Sequence, residues 1–275
     1  DRDDAVWVSV LDGNWIMRFD GKAWKIFSHV ADSAFLPITP YSILVDKNNI
    51  KWFVGAGVTS YDGNTWTTYK RFQINLVSGA VDNDNLKWFG TLQDGAWSFD
   101  GTTWTHYTKD NSPLTGFNIK VTVDKNNVKW FCARESQTNC KGTIYRFDGS
   151  TWKTYGTDVT GVPTDHPINN LNIDRNNVLW VTHRTLTSFD GKTWKTWPDI
   201  KTGQASSIAF DADGYLWIAS PYGSVSDAMT LSAMKLSTGP AAVGETALPI
   251  ALELRGNYPN PFNPSTSISF TLPAS

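Results

Sequence analysis

The chain has 275 residues, enough for one large all-β domain or two ordinary domains with a sizeable core. Its 24 basic and 26 acidic side chains nearly balance, which excludes the broad basic surface that binding to nucleic acid or anionic membranes requires. The longest apolar run, near Ala247–Leu254, is interrupted by Pro249 and Glu253 and is too short to span a bilayer. The 14 tryptophans are clustered in recurring phrases, which indicates a repetitive, β-rich protein.

The first recurring phrase is an Asp-initiated polar turn followed by an apolar run with Trp six residues after the Asp. It begins at Asp1, Asp46, Asp82, Asp124, Asp174 and Asp211. The corresponding tryptophans are Trp7, Trp52, Trp88, Trp130, Trp180 and Trp217, and they are 36 to 50 residues apart. This period is typical of the blades of a β-propeller.

The second phrase, aromatic-Asp-Gly-x-x-Trp, follows each of the first five copies of the first. It occurs at Phe19–Trp24, Tyr61–Trp66, Phe99–Trp104, Phe147–Trp152 and Phe189–Trp194. Asp-Gly between apolar residues predicts a tight hairpin, because glycine accepts the positive φ that such a turn requires.

Each unit therefore resolves into four short strands, A to D. Strand A is predicted at Ser42–Val45, Ile119–Val123, Leu171–Ile173 and Ser207–Phe210. In the second unit, strand B is predicted at Ile50–Val54 and strand D at Thr65–Tyr69. Strand B is apolar at consecutive positions, as expected for a strand that is covered on both faces by neighbouring blades. The sequence predicts an all-β, six-bladed β-propeller over residues 1–254.

This repeat resembles the two-component-regulator type of propeller repeat, and the resemblance covers about Asp1–Gly239. Such repeats form the extracytoplasmic sensor regions of some histidine kinases. The resemblance implies a propeller fold and a location outside the cytoplasm.

The first unit begins at its Asp turn, so its strand B, Ala5–Val10, is expected to have an unpaired edge. Near the carboxyl end, Ser267–Phe270 reads like Ser207–Phe210, the strand A of the sixth unit. We therefore expect the tail to supply the strand. The donor residues are Ser267, Ile268, Ser269, Phe270, Thr271 and Leu272, and the acceptor residues are Ala5, Val6, Trp7, Val8, Ser9 and Val10.

The tail, residues 255–275, can donate this strand within its own chain or to a neighbouring copy. The sixth unit is predicted to end with an outer strand in Ala247–Leu254, which leaves Arg255–Thr266 as a connector. Its prolines at 259, 261 and 264 make it semi-rigid and longer than a crossing within one unit requires, which favours exchange between chains and head-to-tail filaments. The alternatives are a strand from upstream of Asp1 and a three-stranded first blade.

The segment Leu254–Pro273, with its core Asn257-Tyr-Pro-Asn-Pro-Phe-Asn-Pro-Ser-Thr266, closely resembles the opening of the C-terminal sorting domain of type IX secretion. This resemblance implies an exported protein that is secreted or held at the cell surface.

Cys132 and Cys140 flank an enlarged hairpin in the fourth unit, and in an exported protein they are expected to form a disulfide. Two reduced thiols are the alternative. The Asp turns resemble the start of calcium loops but have no distal Glu, so a hairpin role explains them better. We therefore expect no cofactor, with calcium as the weaker alternative.

The sequence contains no nucleophile elbow, phosphate loop or paired metal-binding histidines. Arg134, Glu135, His183, Arg184 and Tyr222 could share a ligand face, although solvated loop residues explain them as well. The leading hypothesis is a non-enzymatic structural or adhesive protein whose partner is a second copy of itself. The alternative is a carbohydrate-active, polysaccharide-lyase-like or ligand-sensing propeller with a self-closed ring.

Overall fold

The computed structural model describes residues 1–10, 15–27, 40–71, 75–135, 142–156, 168–183, 185–197, 207–211, 214–220, 230–235, 250–258 and 267–271. These residues form 24 strands and no helix, so none of their segments is a helix that could cross a membrane. The chain divides into two compact structural units, Asp1–Gly156 and Thr157–Ser275, each of which contains more than one of the sequence repeats.

The first unit contains four antiparallel sheets, and each sheet is formed by strands that are consecutive in the chain. Sheet 1 consists of β1 (Val6–Val10), β2 (Trp15–Phe19) and β3 (Trp24–Phe27). Sheet 2 consists of β4 (Ser42–Val45), β5 (Lys51–Val54), β6 (Gly57–Tyr61) and β7 (Trp66–Arg71). Sheet 3 consists of β8 (Leu76–Val81), β9 (Lys87–Thr91), β10 (Ala96–Phe99) and β11 (Trp104–Tyr107). Sheet 4 consists of β12 (Phe117–Val123), β13 (Lys129–Arg134), β14 (Gly142–Phe147) and β15 (Trp152–Tyr155).

The second unit contains two antiparallel sheets. Sheet 5 consists of β16 (Asn170–Ile173), β17 (Leu179–Thr182), β18 (Leu186–Phe189) and β19 (Trp194–Trp197). Sheet 6 consists of β20 (Ser207–Phe210), β21 (Tyr215–Ser220), β22 (Thr230–Lys235), β23 (Ile250–Tyr258) and β24 (Ser267–Thr271). The predicted strands A, B and D are therefore confirmed to within two residues at their ends.

The Asp turn that precedes each Trp-bearing strand is a hydrogen-bonded unit. In sheet 2, Asp46 Oδ1 accepts the backbone N–H groups of Asn48 at 2.9 Å and Ile50 at 3.0 Å, while Oδ2 accepts the Trp52 indole N–H at 3.0 Å. The same Asp–Trp bond recurs at 2.7 to 3.0 Å in Asp1–Trp7, Asp82–Trp88, Asp124–Trp130, Asp174–Trp180 and Asp211–Trp217. Each carboxylate thus fixes both its turn and the indole that the turn leads to.

The Asp-Gly hairpins join the last two strands of each of sheets 1 to 5. In sheet 2, Gly63 has φ +114°, and a Cβ at that position would meet no atom within 4 Å. Glycine is therefore required there for its backbone conformation alone. Asp62 Oδ1 accepts the N–H groups of Asn64 and Thr65 at 2.8 and 2.7 Å, and these bonds lower the pKa of Asp62.

The hydrophobic core lies between neighbouring sheets. In sheet 3, Trp88 faces sheet 4, with its ring centroid 6.1 Å from Phe131 and 5.9 Å from Phe147. The next residue, Phe89, belongs to the cluster that contains Trp52 of sheet 2. Side chains alternate across a strand, so the two residues cover opposite faces of β9. This confirms for β9 that a Trp-bearing strand is buried on both sides.

Candidate functional site

Adjacent sheets of the first unit are joined by ion pairs between a buried lysine of one sheet and the Asp turn of the sheet before it. Lys129 of sheet 4 lies 3.1 Å from Asp82 of sheet 3, and its ammonium group stands over the Trp88 ring at 5.3 Å. Lys87 contacts Asp46 in the same way at 3.3 Å, and Lys51 contacts Asp1 at 3.2 Å. All three lysines are buried. The Asp turns of sheets 1, 2 and 3 therefore each receive a cation from the following sheet.

Sheet 1 differs from sheets 2 to 4 in its strand number. Its strand order is β1-β2-β3, so β1 is an edge strand. Sheets 2 to 4 each have one further strand beside the Trp-bearing strand, namely β4, β8 and β12. The structure agrees with the expected unpaired edge, because within the described residues β1 pairs with β2 alone.

The face of β1 opposite Trp7 is exposed. Val6 and Val8 are 54% and 38% exposed, whereas the residues at the same distance from the Trp in sheet 2, Lys51 and Phe53, are 4% and 0% exposed. Trp24, on β3, is 53% exposed. Sheet 1 thus presents an apolar surface beside an unpaired strand edge, and such a combination is a template for association.

Sheet 6 has one strand more than sheets 2 to 5. Its strand order is β20-β21-β22-β23-β24, so the C-terminal strand is its outermost member. The pairs between the last two strands include Leu254 with Phe270 and Arg255 with Ser269. In this structure Ser267–Thr271 pairs with β23 of its own chain and not with the predicted acceptor residues of β1. Leu272 lies outside the described residues.

The predicted boundary of the outer strand of sheet 6 is wrong. That strand was expected at Ala247–Leu254, and the structure has it at Ile250–Tyr258. Pairing with β24 continues through Arg255 to Tyr258, and the register shift between these two residues accommodates Gly256 and Asn257 as an irregularity in the strand. The connector between the two strands is therefore shorter than predicted, at residues 259–266.

The structure does not support the predicted disulfide. Cys132 is a free thiol, fully buried on β13, and burial raises its pKa to about 12. Its neighbour across the β13–β14 ladder is Ile144, four residues beyond Cys140 in the sequence, and disulfides between strands join residues that lie close to opposite each other. Cys140 itself lies outside the described residues.

The predicted ligand face is only partly described. Arg134 lies at the end of β13 and lines a pocket, and the adjacent Glu135 is exposed. His183 is fully buried, with Nε2 2.8 Å from Thr187 Oγ1, so it does not present its ring to a ligand on an exposed face. Arg184 and Tyr222 lie outside the described residues.

The turn carboxylates that resemble calcium loops have protein partners. In sheet 3, Asp82 accepts the N–H groups of Asp84 and Leu86, both at 2.9 Å, as well as the Trp88 indole and the Lys129 ammonium. No group of three or more His, Cys, Asp or Glu side chains arranged for a metal ion occurs among the described residues. These carboxylates act as hairpin and interface residues in the structure.

Two comparisons with known proteins give no relationship. No family model matches the chain. No curated protein matches it either.

Solved structures do resemble the chain. The extracellular domain of the hybrid two-component system BT3049 from B. thetaiotaomicron superposes with a TM-score of 0.66 at 15% identity over 92% of this chain and 37% of that one. The corresponding domain of BT4673 gives 0.64 at 16% identity over 92% of this chain and 34% of that one. The chain thus spans about a third of the length of these domains.

An enzyme also shares the architecture. A catalytically inactive virginiamycin B lyase from Staphylococcus aureus, solved with quinupristin, superposes with a TM-score of 0.61 at 19% identity over 79% of this chain and 74% of that one. Extracellular domains of two-component systems and a lyase therefore have folds similar to that of this chain. At these identities the likeness identifies the architecture alone, and the chain has the β-propeller fold.

Proposed function

We propose that this protein is an exported, non-enzymatic, six-bladed propeller that assembles head to tail through its C-terminal strand. In this proposal β24 leaves β23 and pairs with β1 of a neighbouring copy. Each chain then donates one strand and accepts one. Because the donor and acceptor surfaces differ, the contact does not close on itself and the product is a filament with a structural or adhesive role.

The observation that carries the proposal is the complementary strand count of sheets 1 and 6. Among the described residues, the first sheet has three strands and the last has five, whereas sheets 2 to 5 have four. Transfer of β24 to β1 would give every sheet four strands. The strand to be moved is also the outermost member of its sheet, so it can leave without breaking another ladder.

The sequence predicts the register of the donated strand. In sheet 6, β20 pairs with the Trp-bearing strand β21, and Ile208 lies opposite Ile218 and Ala209 opposite Trp217. Because Ser267–Phe270 reads like Ser207–Phe210, the same alignment would pair Ile268 with Val8 and Ser269 with Trp7.

The expected strength of the contact depends on what the moved strand gains over its present pairing. A strand of five residues forms about four or five ladder hydrogen bonds at about 1 kcal/mol net each, but β24 loses a ladder of similar length with β23 when it moves to β1. The backbone hydrogen bonds therefore nearly cancel, and the net stabilisation comes from the surface that the donated strand covers. Covering the exposed Val6 and Val8 adds hydrophobic stabilisation of about 1 kcal/mol or more, which tightens the association.

Export is supported by two separate observations. The similar domains of BT3049 and BT4673 are extracellular. The tail carries the Asn257–Thr266 segment that resembles the start of a type IX sorting domain. A location outside the cell or at its surface is therefore part of the proposal.

The mass of the protein in solution tests the assembly, with light scattering measured from about 10 µM to 1 mM. We expect the mass of the wild-type chain to rise above that of the 30.6 kDa monomer as concentration increases. Ser269→Pro removes a backbone N–H from the middle of β24 and is expected to keep the protein monomeric. Ala274→Pro, beyond the strand, is the matched control and should assemble like the wild type. A wild-type protein that stays monomeric throughout would overturn the proposal.

The alternative function is a carbohydrate-active or ligand-sensing propeller. One observation favours it, a pocket between sheets that Arg134 helps to line. Incubation with uronate-containing polysaccharides, followed by ultraviolet absorbance, tests the lyase form of this alternative. An unsaturated product that depends on Arg134 would identify the protein as an enzyme.

A further inference from the structure

The first unit contains a pocket where sheets 2, 3 and 4 meet at the beginnings of their first strands. Tyr41 precedes β4, Asn75 precedes β8, and Lys120 lies on β12. Its volume is about 350 Å³, which is within the range of sites for small ligands. The pocket is thus built by three sheets and not by a single loop.

Two irregularities in the ladders shape this pocket. The β8–β9 register shifts between Leu76 and Ser78, so Val77 is an extra residue that has no partner on β9. The β12–β13 register shifts in the same way between Phe117 and Lys120. Bulges of this kind redirect side chains and occur preferentially beside binding and catalytic sites.

The second bulge contains backbone that only certain residues adopt. Asn118 has φ +53°, and its N–H donates to the carbonyl of Leu92, which directly follows β9, at 2.7 Å. Gly116 has φ +106°, and a Cβ there would lie 2.2 Å from the Arg134 carbonyl oxygen. Any larger residue at position 116 would therefore push the start of β12 away from Arg134. The local sequence holds this wall of the pocket in place.

The pocket has a positive electrostatic character. Lys120 and Arg134 both line it, and no carboxylate does so among the described residues. Burial lowers the pKa of Lys120, the thiol of Cys132 opposes this, and the neighbouring Arg134 lowers it further. A group that carries negative charge between the two cations would relieve both the burial and the repulsion.

Lys120 also differs from the other buried or half-buried lysines of the first unit. Lys51, Lys87 and Lys129 each have an Asp carboxylate within 3.1 to 3.3 Å. Lys120 Nζ instead donates to the carbonyl of Val77 at 2.9 Å, and the ion pairs of the described residues do not include it. The chain otherwise supplies its buried lysines with carboxylates, so a carboxylate from outside the chain would complete the pattern.

We infer that this pocket binds a small organic carboxylate, with the acid group between Lys120 and Arg134 and the apolar part against Leu92 and Phe117. The amides of Asn75 and Asn118 can hydrogen-bond to polar substituents of the ligand. A free small acid and the carboxyl end of a peptide share this chemistry.

Calorimetric titration of the full-length protein tests the inference with two matched pairs of probes. Phenylacetate and phenylacetamide have nearly the same shape and differ in charge. N-acetylphenylalanine and its amide are the corresponding pair for the carboxyl end of a peptide, since they too differ in charge and have nearly the same shape. In whichever pair binds, we expect the acid to bind at least about tenfold more tightly than the amide, since charge-assisted hydrogen bonds are about twice as strong as neutral ones. The pair with the tighter acid identifies the source of the ligand, and binding of neither acid would overturn the inference.

Variants of the pocket connect the binding to these residues. Lys120→Met is expected to weaken binding of the acid at least about tenfold, and Lys120→Arg is expected to retain it. Leu92→Trp keeps both cations and fills the pocket, so it should abolish binding of the acid. Lys153→Met removes an exposed lysine of sheet 4 and is the control. Unchanged affinity in Lys120→Met or in a folded Leu92→Trp would contradict the inference.

Discussion

Lys129 and Asp82 form a buried ion pair between two neighbouring sheets, with 3.1 Å between Nζ and Oδ2. The same carboxylate also accepts the Trp88 indole N–H and two backbone N–H groups. One side chain thus fixes a turn, orients a core tryptophan and binds the next sheet.

Asp82→Ala is therefore expected to be severely destabilising. It leaves Lys129 buried without its carboxylate and the Trp88 indole without its acceptor, and loss of one member of a buried pair costs about 3–5 kcal/mol. Asp84→Ala, in the same turn, removes an exposed carboxylate that accepts a hydrogen bond from Asn127 at 2.7 Å. This control should cost about 1 kcal/mol or less. Urea denaturation measures both, and equal losses would contradict the role assigned to Asp82.

Acid is expected to destabilise the turn of sheet 2. Burial opposes ionisation of Asp46, but the hydrogen bonds from Trp52, Ile50 and Asn48 together with the Lys87 charge lower its pKa below the ordinary value of 3.8. Because the folded state has the lower pKa, the stabilisation is present above pH about 4 and is lost as pH falls through the folded pKa. The difference in free energy of unfolding between wild type and Asp46→Asn should therefore shrink below pH about 4. A difference that stays constant from pH 6 to pH 3 would show that the carboxylate charge contributes nothing.

The Asp-Gly hairpins are expected to depend on glycine through the backbone alone. Gly101 has φ +114° with open space around its Cβ position, so Gly101→Ala should cost about 1–3 kcal/mol without any clash. Thr103→Ala in the same hairpin removes an exposed side chain and should change stability by about 0.5 kcal/mol or less. Thermal and urea unfolding compare the two variants. A neutral Gly101→Ala would mean that the hairpin relaxes to a negative φ.

The thiol of Cys132 is expected to be inert in the folded protein. A pKa raised to about 12 leaves almost no thiolate at pH 8, and the side chain is fully buried. Reaction of Cys132 with a thiol reagent should therefore be absent or very slow before unfolding. After unfolding without a reductant, both cysteines should react. Failure of either cysteine to react in the unfolded chain would restore the disulfide that the sequence analysis predicted.

Most of the sheet architecture follows from two local signals. The Asp turn positions a Trp six residues later through the bond between the carboxylate and the indole, as in Asp46 and Trp52. The Asp-Gly turn supplies the positive φ of a hairpin. Because both signals act within a few residues, the strands of sheets 2 to 5 can be predicted without knowledge of tertiary contacts.

The contacts between sheets were predictable in part. In sheets 2, 3 and 4 a lysine immediately precedes the Trp. This lysine recurs in the sequence, and in the structure it contacts the Asp turn of the preceding sheet. The sequence alone does not identify its partner, because the Asp turn that it reaches belongs to the preceding repeat. The pocket at Lys120 could not be predicted, since it depends on two bulges that no pattern of apolar residues reveals.

The predicted neighbour of the C-terminal strand was β1, and the structure has a different one. Ser267–Phe270 reads like β20 in sequence, yet Ser267–Thr271 pairs with β23 in this structure. Strand pairing is determined by backbone hydrogen bonds that any extended segment can form, so sequence likeness identifies a strand more reliably than its partner. The predicted exchange with β1 of another copy therefore stays a proposal.

Covalent trapping of the donated strand tests this proposal most directly. With Cys132 and Cys140 replaced by Ser, cysteines at Val8 and Ile268 would lie opposite each other in the expected register, and oxidation would join donor to acceptor. A control pair at Leu254 and Phe270, which are opposite in the β23–β24 ladder, should cross-link within one chain. We expect the Val8–Ile268 pair to give covalent multimers on a non-reducing gel. A cross-linked monomer, which would mean that each ring closes with its own tail, or the absence of any cross-link would contradict head-to-tail assembly.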